Sequence, residues 1–454
     1  MSGPSAGAPR VPPSAAPAAR PGVGAVVAMF LAFAFAYFFS ALLRAVTATL
    51  APVFSAELQL AAGQLGLLAG AYFLGFSSMQ LPLGSALDRW GPRRVLLGFL
   101  AVAVFGCAAF ARAQGLVELI LARLLIGVGV AACLMAPLTA FRHHLSAAAQ
   151  LRANSWMLMT GSLGMLASTL PVQWLLPLTG WRGLFWLVAG LLLLSMGLLT
   201  LAVPADRVRA APGAADAATG GAADGAAAPA GEPAPTAGYS AVFRHPAFVR
   251  VAPLGVAVYG GMVAMQSLWI GPWLTQVGGW APAQAAQGLF VVNLAMLLAF
   301  LCWGLVMPRL IRAGWAGERL IAAAWPLGPL CLAWILWRGA DAGAGTWALW
   351  CVLTSVVTLS QPAVGQAFPP SQAGRALSAF NLMIFVGVFA VQWGLGLAID
   401  ALRAAGWPVG QAYRLAFAAF LVLTVLAGLW LNLLRWRAGG ALRSDPPPEA
   451  RPRR

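Results

Sequence analysis

The chain is a succession of apolar runs, each about twenty residues long, joined by short turns that hold most of the charge outside the tails. Roughly 20 apolar residues are what an α-helix needs to cross the hydrocarbon of a bilayer. In lipid every backbone N–H and C=O must be bonded within the structure, and a helix does this segment by segment. Only 9% of the residues are charged and 61% are hydrophobic, against about 25% charged in a soluble domain. A solvating shell is missing, so lipid must be the solvent and the bilayer the first partner. The expected fold is an all-α membrane protein with twelve transmembrane helices. They are placed near Gly24–Pro52, Gly63–Leu87, Val95–Arg112, Leu116–Phe141, Asn154–Leu178 and Gly183–Val203. After a gap they continue near Val249–Val277, Gln284–Pro308, Arg319–Trp337, Thr346–Phe368, Ala376–Ala401 and Gln411–Trp436.

The gap divides the chain. Residues 204–248 begin with an Ala/Gly/Pro stretch that can bury nothing and reads as a cytoplasmic linker, closing with a short interfacial helix over Ser240–Arg250. Residues 24–203 and 249–437 then form two six-helix bundles. Residues 1–23 and 438–454, rich in Pro, Ala and Arg, read as disordered cytoplasmic tails. The apolar run that follows the first tail is too long for the core of a cleaved signal peptide.

The net charge of +16 comes from 28 basic residues, all arginine. They fall singly or in pairs between apolar runs and form no stripe, which argues for orientation signals and against nucleic-acid binding. With both termini inside, only Arg112, Arg182, Arg338, Arg403 and Arg414 lie at the outer face. That bias fits an even number of crossings. The absence of lysine suggests a GC-rich bacterial genome, and hence a multi-pass protein of a bacterial inner membrane.

One turn is distinctive. Gly84–Arg94, GSALDRWGPRR, joins the second and third apolar segments and carries Gly84, Asp88, Arg89, Gly91, Arg93 and Arg94. It resembles the G-x-L-A-D-R-x-G-R-K signature of the major facilitator superfamily, with Ser85 and Pro92 departing from it. Glycine at 84 would allow close helix approach, and the paired arginines suit a cytoplasmic turn. Arg123-Leu-Leu-Ile-Gly-Val-Gly129 is similar to a second motif of that family, in its fourth helix. Gly161, Gly164 and Pro171 only loosely match the glycine–proline motif of its exporters, and the G-P pair is absent. Gly304–Gly314 sits where the second half would repeat the signature, but it lacks the aspartate.

The resemblance implies two bundles related by an axis along the membrane normal, rocking around a site near the midplane. In that family helices 1, 4, 7 and 10 line the cavity. Arg44 in helix 1 and Arg123 in helix 4 are therefore the charges of interest, because intramembrane charge is expensive and usually functional. Arg44 either grips a substrate carboxylate or phosphate or snorkels to the outer interface. Arg123 is expected to have a structural or gating role. Asp88 is expected to latch onto a helix N-terminus, that of helix 11 near Ala376. Glu118 and Asp400 read as interfacial charges.

Neutral polar and aromatic residues complete the candidates. Tyr37, Tyr72 and Gln80 lie in the first half; Gln266, Trp269, Trp273, Asn293, Gln361, Asn381 and Gln392 lie in the second. Gln266, Trp269 and Trp273 share one helical face, as cavity-lining residues should. Helix–helix hydrogen bonding and interface anchoring are the plainer readings for each residue alone. The five cysteines lie in apolar segments and read as packing residues. The three histidines fall in loops, and no metal-ligand spacing, P-loop or nucleophile elbow occurs.

The expectation is a monomeric secondary transporter with no cofactor and no metal, not an enzyme. Its substrate would be a small organic anion or zwitterion, moved with or without a proton or other coupling ion. Proton-coupled efflux of hydrophobic drugs is the alternative, although no acid lies mid-membrane to carry the proton. A sensor that kept a transporter fold is the alternative from another class.

Overall fold

The structure, a computed structural model, describes residues 23–204, 239–315 and 317–437. Both expected tails, apart from Val23, and most of the expected linker lie outside the described residues. Among the described residues every regular element is helical. Among these residues ten helices are long and apolar enough to cross a membrane, the longest being Val23–Glu57.

The first half of the chain comprises α1 (Val23–Glu57), α2 (Ala62–Ser78), α3 (Gln80–Trp90), α4 (Pro92–Arg112), α5 (Leu116–Val130), α6 (Ala132–His144), α7 (Ala147–Ala167) and α8 (Leu170–Ala202). Three of its expected segments are broken, Leu116–Phe141 at Ala131 between α5 and α6 and two others at a proline. Pro82 lacks an N–H and its ring crowds the carbonyl of residue 78, and α2 stops at Ser78. Pro171 does the same to residue 167, where α7 stops. The reversal expected between Leu178 and Gly183 sits at Gly180, whose φ of 62° and ψ of 173° interrupt α8. The second half is preceded by the short helix Tyr239–Arg244, which overlaps the helix expected over Ser240–Arg250. It begins with Pro246–Val277, which contains three π-helical stretches, at Gly255–Tyr259, Met265–Trp269 and Trp273–Val277.

The two halves meet most extensively where α2 lies along the Pro370–Ala404 helix. Small residues set that distance, as in membrane interfaces generally. A Cβ on Gly66 would stand 2.3 Å from the carbonyl oxygen of Gln392, and one on Gly396 would stand 2.4 Å from that of Ala62. Each half also has its own aromatic core. Phe54, Phe110, Trp181 and Phe185 interlock in the first, and Trp269, Trp273, Trp347 and Phe417 in the second.

Candidate functional site

The site begins with α1. Arg44 and Tyr37 are two turns apart on one face, so both project toward the same neighbours. Tyr37 fits because α7 offers Gly161, where a Cβ would lie 2.6 Å from the phenol ring. The Arg44 guanidinium carbon stands 5.5 Å from the ring centroid of Phe76 and 5.8 Å from that of Phe385. Those two rings are 4.5 Å apart, one from each half of the chain. Tyr37, Tyr72 and Tyr259 also border Arg44. Its Nε is buried and has no acceptor. The structure thus places Arg44 between the halves, against Phe76 of the first and Phe385 of the second.

Arg123, 1% exposed, comes from α5. It donates to the carbonyl of Leu43 at 3.0 Å and to the hydroxyl of Thr47, both on α1. Its Cζ lies 5.2 Å from the Tyr72 ring centroid, and the Tyr72 hydroxyl donates to the carbonyl of Ser40 at 3.2 Å. Gly127, one turn on, lets α5 touch the backbone of α2 at Tyr72, where a Cβ would meet a carbonyl oxygen at 2.0 Å. The geometry suits a guanidinium that pins α5 to α1 and holds Tyr72 in place. Its Nε is also without a partner. Among the described residues, neither Arg44 nor Arg123 has an ion-pair partner, whereas Glu57 pairs with Arg182 and Arg250 with Glu318.

One turn beyond the aromatic pair, in the direction of Asp88, runs a chain of amides. Gln361 donates to Asn381 at 3.0 Å, and Asn381 donates to Gln80 at 2.7 Å. This joins the halves, with Gln80 on α3, Asn381 on Pro370–Ala404 and Gln361 on Ser360–Gln366. Gln266 and Trp269 are placed differently. Gln266 donates to Asn293 within the second half at 3.0 Å, and Trp269 is fully buried against Tyr413 and Phe417. No described contact joins either to Arg44.

In the signature turn, Gly91 has φ 81° and ψ 160°, a conformation that favours glycine, between α3 and α4. Arg93 donates to the carbonyl of Thr200 near the end of α8 at 2.8 Å, where a cation suits the helix C-terminus. Arg89 lies over the Trp90 ring at 5.4 Å. The close approach expected at Gly84 is absent, with nothing within 4 Å of a Cβ there. Asp88 is exposed and has no partner among the described residues, so the expected latch is open. Both corrections have one physical reason: Gly84 and Asp88 lie on the exposed side of α3, whose other side buries Leu83 and Leu87 in the core.

Sequence reasoning missed Phe76, Phe385, Tyr259 and Thr47. Nothing distinguished these two phenylalanines among 23. It also read Asp400 as a plain interfacial charge.

Residues 33–391 match the family model described as Major Facilitator Superfamily. Similar solved structures include a bacterial homolog of the human lysosomal transporter Spinster, in inward-facing unoccupied and occupied conformations. The unoccupied one is 16% identical with a TM-score of 0.68, over 91% of this chain and 98% of that one. The occupied one is 15% identical with a TM-score of 0.69, over 92% and 98%. A D-xylose-proton symporter is 16% identical with a TM-score of 0.65, over 90% and 96%. No curated protein matches the sequence.

Proposed function

Because the chain belongs to the Major Facilitator Superfamily, and is a membrane transporter and not an enzyme, we propose that its substrate is a small organic anion or zwitterion gripped by Arg44. The observation that carries this is the Arg44 guanidinium, set between the halves with its Nε unpaired and no carboxylate beside it among the described residues. Among the described residues Arg44 has tyrosine hydroxyls but no counter-charge beside it, and a carboxylate or phosphate from the substrate would supply one through paired N–H···O bonds. Phe76, Phe385, Tyr37 and Tyr72 would enclose the apolar part of the substrate. Arg123, already engaged with α1, would position Tyr72. The amide chain Gln361–Asn381–Gln80 would hold the halves together on the Asp88 side of the substrate.

Transport would proceed by alternating access of two six-helix bundles, residues 24–203 and 249–437, making twelve crossings. Both termini would be cytoplasmic, the membrane a bacterial inner membrane and the unit a monomer. A coupled proton would travel on the substrate, because no carboxylate or histidine of the described residues borders Arg44.

The test is a thermal-shift panel on the purified protein and Arg44→Gln, spanning carboxylates, organic phosphates, dipeptides, sugars and lipophilic cations. A ligand that binds only the folded protein raises its stability, by about 2.7 kcal/mol at a hundredfold excess over Kd. The expected result is stabilisation by an anion in the parent protein and none in Arg44→Gln. Equal stabilisation of both by lipophilic cations, with no effect of anions, would refute the proposal.

A further inference from the structure

At the end of the molecule opposite Asp88, a carboxylate of the second half closes onto a helix of the first. Asp400 accepts from the backbone N–H of Ala62 at 3.0 Å and of Gly63 at 2.8 Å. These are the first amides of α2, which otherwise have no intrahelical partner. The usual remedy is a Ser, Thr, Asp or Asn at the preceding position. Here that position is Ala61, whose side chain can accept nothing. Asp400 supplies the cap from a residue more than three hundred positions away, and its negative charge faces the positive end of the helix dipole. Glycine at 63 makes room for it, since a Cβ would stand 2.8 Å from Oδ2. Asp400 also borders a pocket of about 330 Å³ lined by Ala51, Ser55 and Leu65 of the first half and Thr275, Arg403 and Tyr413 of the second.

The chain directions make this contact the counterpart of the signature turn. Counting on from α2 into α3, the segment starts at the Asp400 end and runs to Asp88; Pro370–Ala404 runs the other way, toward Asp400. Each element therefore carries an aspartate near its C-terminal end, level with the N-terminal end of the other. One contact is made and the other is open.

We propose that Asp400 is the latch of the outer gate, holding α2 to the Pro370–Ala404 helix while the Asp88 end is released, and letting go when the Asp88 latch forms. The inference rests on the alternating-access and topology readings above, and not on the identity of the substrate. It makes Asp400 a positioning residue for transport: it sets which side is open without touching what is carried.

Labelling tests it. Ala51, 1% exposed, lines the pocket and accepts cysteine with little change of volume. In a Cys302→Ser background, which removes the exposed native thiol, the Ala51→Cys reporter is reacted with a membrane-impermeant maleimide in oriented proteoliposomes without substrate. Asp400→Ala is expected to raise the labelling rate roughly tenfold, losing two charge-assisted hydrogen bonds and a charge–dipole contact. Asp400→Asn, which keeps one acceptor, should fall between, and Asp88→Asn should lower the rate. Opposite responses to the two aspartates are not what general damage produces. Reaction at the buried Cys107 or Cys133 would reveal unfolding, in which case Asp400→Asn decides. If Asp400→Ala leaves the rate within twofold of the parent while Asp88→Asn lowers it, alternation stands and the latch is overturned. If neither variant changes the rate, the latch and the alternating-access reading fall together.

Discussion

Gly66→Ala separates the state seen here from the state that must replace it. The added Cβ would stand 2.3 Å from the oxygen of Gln392, 3.0 Å from its carbonyl carbon and 3.2 Å from the Cα of Trp393, where ordinary contact begins at 3.4 Å. All three are backbone atoms of a long helix, so no rotamer change relieves the clash, and α2 must move about 1 Å away. Overpacking of this kind costs about 1–3 kcal/mol. That penalty applies only while α2 lies against Pro370–Ala404. If the Asp400 end opens in the alternate state, the equilibrium shifts toward opening by about 5- to 150-fold. Spin labels at Ala56→Cys and Ala405→Cys, both exposed at that end, would report it by double electron–electron resonance as a growing long-distance population. Gly84→Ala is the control, because nothing lies within 4 Å of a Cβ there. It should leave the distances unchanged or favour the present state. A Gly66→Ala protein that melts earlier but keeps the parental distance distribution would refute the reasoning, because the interface would then be part of both states.

Three further outcomes follow from local geometry. Thr47→Val removes the hydroxyl that accepts from Arg123, and leaving that charged donor unpaired should cost about 1–3 kcal/mol, read as a lower melting temperature in detergent with no change in helical content. Gly180→Ala places a side chain at φ 62° and should destabilise the α8 reversal by about 1–2 kcal/mol, even though no neighbour lies within 4 Å of the new Cβ; an unchanged melting temperature would sink that account. Glu57→Gln breaks the 2.6 Å pair with Arg182, but both side chains are 43% exposed, so the loss should stay below about 1 kcal/mol and vanish at high salt.

The fold was largely legible because membrane crossing imposes a length and a composition that a sequence displays directly. The breaks at Met79 and at Ser168–Thr169 were legible in principle too, since Pro82 and Pro171 each act on the carbonyl four residues earlier. The candidate site was half legible. Arg44 and Arg123 stand out in apolar helices because charge there is rare. The aromatic pair that faces Arg44 does not, because a phenylalanine in a membrane helix looks the same whether it meets lipid, core or cavity. Helical periodicity grouped Gln266 with Trp269 and Trp273 on one face, yet cannot say what that face meets. The structure fills it with the second half's own aromatic core. Asp400 was visible as a charge near a helix end, and its partner was not.

By itself, then, the sequence determined the solvent, the helical class and the location of the rare charges. These follow from local hydropathy and backbone chemistry, which act residue by residue. Tertiary structure alone decided which charge is pinned to a neighbouring helix, which glycines are pressed against a neighbour, and which aspartate is engaged. Those depend on pairs such as Asp400 with Gly63, or Asn381 with Gln80, about 300 residues or more apart and brought together only when two helices of opposite direction pack side by side.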